Sequence, residues 1–222
     1  SLSLLAEAMK IQFTQELFET QGVHAAHEYA KKLYQEAEVT KVKATKNLVI
    51  DPDFKSAYYK ITELYEQGVE HPKFTKLLSL IQEEVKHCEK ILIFNNFRDS
   101  AARLQAALNK IHNVQCELFV GQAKKKGLGM SQKEQIRMLD NFKAGAFNVL
   151  IGTSVGEEGI DIPAVDLIVF YEPVPSAIRT VQRRGRTGRM EKGKVIVLVT
   201  KGTRDEAYRW TAHHKENRMH RV

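Results

Sequence analysis

The chain has 222 residues, with 34 Lys+Arg against 27 Asp+Glu for a formal net charge of +7, room for one domain of ordinary size and a smaller companion. Its 43% hydrophobic and 27% charged residues, with 5 Pro and 13 Gly, are globular proportions that exclude disordered, collagenous and membrane-embedded classes. No apolar run approaches the roughly 20 residues of a membrane helix, the N-terminus lacks the basic region, apolar core and cleavage site of a signal peptide, and two cysteines are too few for a disulfide framework. A soluble protein from a reducing compartment is expected. The start at Ser1-Leu2-Ser3, without Met, suggests a piece of a longer protein.

Residues 1–70 read as helices. Leu4, Leu5, Met9, Phe13 and Leu17 recur at three- and four-residue steps, as do Ala26, Tyr29, Ala30 and Leu33 after a break at Gly22. Phe54, Ala57, Tyr58, Ile61 and Leu64 follow Asp51-Pro52, where the proline suits a first helical turn. Residues 37–46 read as a polar linker. His24 and His27 lie three apart, but no His, Cys and Asp cluster has metal-ligand spacing, so no metal site is expected.

From residue 71 onward, helices alternate with short β-branched or aromatic runs. A helix over 72–84 precedes the run 91–94; helices over 100–111 and from Ser131 flank the run 115–120. The runs 149–151, 167–170 and 195–199 follow, with a helix over 176–183 among them. Unbroken apolar runs spaced by helices mark strands buried on both faces of a parallel sheet. Ser131-x-x-Glu134 and Thr203-x-x-Glu206 have capping-box spacing. The expected fold is α/β, a doubly wound parallel sheet preceded by a small all-helical region.

Charge is divided unevenly. Residues 1–90 hold 12 Lys, no Arg and 14 acids, a net of −2, whereas residues 91–222 hold 10 Lys, 12 Arg and 13 acids, a net of +9. Arginine's planar fork suits phosphate better than lysine's point charge, so the second part is where an anionic ligand is expected, although a charged surface alone produces the same counts. Ligands of such sheets bind at the carboxyl ends of the strands, and two loops there are unusual. After the run 149–151 comes Gly152-Thr153-Ser154-Val155-Gly156-Glu157-Glu158-Gly159-Ile160-Asp161, whose glycines permit close approach to a ligand and whose hydroxyls suit a phosphate. Asp161 offers an acceptor to a sugar hydroxyl. Further on, Gln182-Arg183-Arg184-Gly185-Arg186-Thr187-Gly188-Arg189 places four arginines in eight residues; that many like charges repel unless an anion accepts them, and a polyphosphate is the natural target.

Together these loops resemble motifs V and VI of superfamily 2 helicases, and Ile91-Leu92-Ile93-Phe94-Asn95-Asn96-Phe97-Arg98 resembles motif IV in the same order. DEAD-box proteins typically have His where this chain has Gln182, and RIG-like and Dicer helicases tend to end motif VI without Thr187-Gly188-Arg189. The remaining pattern, including 119–122, 131–135, 171–176 and 201–208, is similar to the archaeal Hef and Fanconi anaemia group M type of DNA helicase. The resemblance implies that residues 71–222 form the second RecA-like domain of a two-domain motor and residues 1–70 part of a helical, thumb-like insertion.

Carried over residue by residue, it makes Arg186 and Arg189 arginine fingers toward the γ-phosphate, with Gln182 sensing the phosphates or attacking water; such fingers contribute about a thousandfold to a hundred-thousandfold in rate. Gly159 and Asp161 would lie on the nucleotide, Asp161 on its ribose. Asn95, Asn96, Arg98, Gly121, Gln122, Thr153 and Ser154 would track the nucleic-acid backbone. The lysines 124–126 either add to that track or form a solvated surface.

No P-loop sequence Gly-x-x-x-x-Gly-Lys-Ser/Thr and no Asp-Glu-x-His or Asp-Glu-x-Asp motif occurs. ATP with Mg²⁺ would therefore be held mainly by a separate N-terminal RecA-like domain of the same protein, and this chain alone is expected not to hydrolyse ATP. The implied partner is DNA, forked or branched, in repair, with no membrane, in the cytoplasm of an archaeal-type cell or in a nucleus. The alternatives are a double-stranded RNA helicase of RIG-like or Dicer type and a non-catalytic nucleic-acid-binding module.

Overall fold

The fold is taken from a computed structural model, which describes residues 2–121, 129–153, 164–173 and 193–208. It divides into two compact units, residues 1–72 and 73–222.

The first unit is four helices: α1 (Leu2–Thr20), α2 (Val23–Val39), α3 (Lys43–Ile50) and α4 (Pro52–Glu66). α2 is the centre, packing against each of the other three. Its Ala30 and Leu33 meet Leu48, Val49 and Phe54 in a small core. Asp51 caps α4 by accepting from the Phe54 N–H at 3.0 Å, with Pro52 in the first turn. Rings from α2 and α4 interleave in a column: His27 stacks on Tyr65 with centroids 4.1 Å apart, and Tyr34 on Tyr58 at 4.6 Å. His27 is thus a buried core histidine.

Two expectations need correction here. The polar linker is three residues, 40–42, rather than 37–46, because Glu36, Glu38 and the alanines are good helix formers that continue α2 without apolar periodicity. The apolar face assigned to α1 is turned out: Leu4, Leu5 and Met9 are 60–64% exposed, and of the five residues only Leu17 is buried. Apolar residues run round the whole helix, so they do not select a stripe. Thr14 and Thr20, whose hydroxyls donate to the Lys10 and Glu16 carbonyls, share the buried side with Leu17.

The second unit is a five-stranded, all-parallel sheet in the order β2-β3-β1-β4-β5, from β1 (Ile91–Phe94), β2 (Cys116–Phe119), β3 (Val149–Gly152), β4 (Leu167–Phe170) and β5 (Lys194–Val197). Helices α5 (Pro72–Glu84), α6 (Arg98–Leu108) and α7 (Gln132–Lys143) cover it. Side chains alternate between faces along a strand, which splits the core in two. Ile91, Ile93, Val149, Ile151, Leu167 and Val169 pack with Leu77 and Ile81 of α5 and Leu104 and Leu108 of α6. Leu92, Phe94, Leu150, Ile168 and Phe170 pack with Phe142 of α7 and Phe147. With helices on both faces, β1, β3 and β4 are buried at every position, which is why they read as unbroken apolar runs. This is the doubly wound sheet expected.

Ser131 and Glu134 form the full capping box at α7. At residue 203 the pattern closes differently: Thr203 Oγ1 accepts from the Asp205 N–H and the Glu206 carboxylate from Gly202, one residue earlier than in a capping box. The expected helix over 176–183 lies outside the described residues. Among the described residues no helix is long and apolar enough to cross a membrane.

Candidate nucleic-acid interface

The exits of β1, β2, β3 and β4 lie side by side at the carboxyl edge of the sheet. Backbone bonds carry the ladder just past the strands: Asn95 N donates to Gly152 O at 3.1 Å, Thr153 N to Phe119 O at 3.0 Å and Tyr171 N to Phe94 O at 2.9 Å. The chain crosses from β3 past β1 to β4, so this edge includes the point where strand order reverses, the usual ligand position in such sheets.

Asn95 is fully buried. Its Oδ1 accepts from the Phe97 N–H at 2.8 Å, an Asx-type turn that leads into α6. The turn leaves Asn96 exposed and Arg98 half-buried. Arg98 Nη2 donates to the Gly121 carbonyl at 3.3 Å, joining the loops after β1 and β2. From α7, the buried Gln135 donates its side-chain amide to Val120 O at 2.9 Å and holds the β2 exit from below. Thr153 is buried, its hydroxyl 3.5 Å from Phe119 O. Of the residues assigned to nucleic acid, the structure therefore brings Asn96, Arg98 and Gly121 together near the surface, with Asn95 and Thr153 beneath them as supports of the loops. Gln122, Ser154, Gly159, Asp161, Gln182, Arg186 and Arg189 lie outside the described residues.

Sequence reading passed over a polar cluster beside this surface. Lys73, in the first turn of α5, is 5% exposed; its Nζ donates to Asp205 Oδ2 at 2.7 Å and to Tyr171 O at 3.1 Å, and lies 4.9 Å from the Tyr171 ring centroid. Burial pushes the Lys73 pKa below the ordinary lysine value, while Asp205 and Glu172 pull it up. Asp205, 1% exposed, also accepts from the Thr200 N–H at 3.0 Å. Glu172 is buried at the β4 exit and accepts from the Asn96 N–H. The signal was present: a lysine at a helix N-terminus opposes the helix dipole and needs a compensating anion. Among the described residues, no group of three or more His, Cys, Asp or Glu converges to hold a metal ion.

The family described as helicase conserved C-terminal domain matches residues 72–191, and a helical bundle of ATP-dependent RNA helicases matches residues 2–68. The crystal structure of the Pyrococcus furiosus Hef helicase domain is similar at 48% identity and a TM-score of 0.73, over 93% of this chain and 42% of that one. A Methanocaldococcus jannaschii protein named as an ATP-dependent RNA helicase is 42% identical over all of this chain and 28% of its own length. The ATP-dependent DNA helicase MPH1 of Pyricularia oryzae is 43% identical over 62% of this chain and 13% of its own. The chain thus spans 28% and 13% of the length of these two curated relatives.

Proposed function

The chain belongs to the helicase conserved C-terminal domain family, and from that premise we propose that it is the second RecA-like half of an ATP-dependent DNA helicase or translocase, acting on forked or branched DNA in repair. The observation that carries the nucleic-acid part is the Arg98–Gly121 bond. It fixes a guanidinium and two loop backbones at the carboxyl edge of the sheet, where a strand's phosphates would be followed by shape and charge rather than by sequence.

The nucleotide part rests on the resemblance of motifs V and VI. Arg186 and Arg189 would approach the γ-phosphate, Gln182 the attacking water, and Gly159 and Asp161 the nucleoside, once a P-loop-bearing domain presents ATP with Mg²⁺. The ion's ligands would come from that domain and the nucleotide. Closing of the two domains on ATP would advance the strand. Residues 1–70 would belong to a helical insertion that grips duplex, and the protein would work in the cytoplasm of an archaeal-type cell or in a nucleus.

The relatives' names divide between DNA and RNA; the Hef-like pattern at Gln182 and Thr187-Gly188-Arg189 favours DNA. The test is binding of this chain to a DNA fork and to RNA of the same sequence and shape. Tighter binding to DNA supports the reading, and binding that needs the 2′-hydroxyls supports the RNA alternative.

A further inference from the structure

We propose that Glu172 is a positioning residue for the nucleic-acid loop Asn95–Arg98, setting its height above the sheet through the Asn96 amide, and that Lys73 with Asp205 anchors Glu172's own segment. This rests on the reading above that the loop touches nucleic acid.

The geometry assigns the role in two steps. The Asn95 side chain turns the loop by accepting from Phe97, but its own Nδ2 finds no hydrogen-bond partner among the described residues, so within the loop the side chain supplies one restraint. Besides the bonds of Asn95 N to Gly152 O and of Arg98 to Gly121 O, a restraint from outside comes from the Glu172 carboxylate, which accepts from the Asn96 N–H, the amide between the buried Asn95 and the exposed Asn96. A charge-assisted bond to a backbone amide is short and strong. It is made by a residue two positions past the end of β4, the strand hydrogen-bonded beside β1, so it ties the loop to the sheet exit rather than to itself.

Glu172 is in turn held from behind. The Lys73 ammonium donates to the carbonyl of the preceding residue, Tyr171, interacts favourably with the Glu172 charge, and is paired with Asp205. Three segments far apart in sequence thus meet under one loop: the start of α5, the β4 exit and the turn at 200–205. A buried carboxylate beside a proposed phosphate track is otherwise a liability, since its charge repels the ligand. Its function is to aim the loop, at a depth where the Lys73 cation, shared with Asp205, offsets part of that charge.

The test uses three variants of this chain and two readouts. Fluorescence anisotropy with a DNA fork follows affinity, and amide hydrogen exchange at Asn96 follows the bond itself. Glu172→Ala should speed exchange at Asn96 at least tenfold and raise Kd for the fork about tenfold with the slope of log K against log salt unchanged, since no cation is lost. Glu172→Gln keeps an acceptor and should restore both to within about threefold. Arg98→Ala serves as the control for the functional reading. Glu172→Ala that binds as well as or better than the native chain overturns the proposal, as does Asn96 exchange that Glu172→Ala does not change. Equal loss in the Ala and Gln variants also overturns it, by assigning the carboxylate a general role in folding. If the native chain binds no fork, or Arg98→Ala binds like it, the functional reading fails instead, and exchange at Asn96 still decides whether Glu172 positions the loop.

Discussion

Lys73 Nζ and Asp205 Oδ2 are 2.7 Å apart, with the two side chains 6% and 1% exposed, and they join residues 132 positions apart in the sequence. The pair closes the carboxyl edge of the sheet from below, tying the first turn of α5 to the turn at 200–205. Removing one member leaves a desolvated charge behind. Such losses cost about 3–5 kcal/mol, whereas replacing both members with apolar groups of similar volume is often close to neutral. Lys73→Ala and Asp205→Ala should each lower unfolding free energy by about 3–5 kcal/mol, and Lys73→Met with Asp205→Leu by less, the remaining loss coming from Glu172 left without its cation. Urea denaturation measures this; single variants that unfold like the native chain would contradict the pair's role.

In the helical unit, Gly22 has φ +100, and a Cβ built there would lie 2.7 Å from the Cβ of His71, itself held by a contact of 2.9 Å between its Nε2 and Glu19 O. Gly145 has φ +79 and open space around it. Gly22→Ala should therefore cost more than the roughly 1–3 kcal/mol of backbone strain alone, and Gly145→Ala only the strain. The comparison is made on midpoints of denaturation for the two variants. Equal losses would mean that the close approach to His71 carries no energy.

The two thiols should differ in reactivity. Burial first, and Glu117 second, push the Cys116 pKa up to about 12; Cys88, half-buried, is also raised, chiefly by burial. The thiolate is the reactive form, so at pH 8 a maleimide should label Cys88 slowly and leave Cys116 unmodified until the chain is unfolded. Peptide mapping after labelling reads both sites.

Arg98→Ala should weaken binding to a single strand or fork and reduce the magnitude of the salt slope by about 0.7 to 1, the signature of one lost phosphate contact. Affinity should fall by a similar factor across sequences, since a backbone contact carries no base information. Titrations at several salt concentrations test this; an unchanged slope would place Arg98 in the loop's architecture alone, through its bond to Gly121.

How much of this was legible beforehand depended on periodicity. Strands buried on both faces have no partner signal other than continuous apolar runs, and β1, β3 and β4 were readable for that reason. The α1 face was not, because Leu4, Leu5, Met9, Ile11 and Phe18 surround the helix and hydrophobicity alone assigns no inward side. At the candidate site, the motif order singled out loops that leave the carboxyl edge of the sheet, but residue type could not separate Asn95, which is inside, from Asn96, which is outside. Two identical neighbours differ only in the turn that one of them makes. Glu172 and Lys73 escaped notice because their partners lie 76 and 132 positions away.

The central claim, that this chain completes an ATP site it does not contain, is tested most directly by ATP turnover of the chain alone and mixed with a separately made P-loop-bearing domain, with and without forked DNA. No turnover by the chain alone, DNA-stimulated turnover by the pair, and its loss by about a thousandfold or more with Arg189→Ala are expected. Turnover by the chain alone, or by the pair regardless of Arg189, would contradict it.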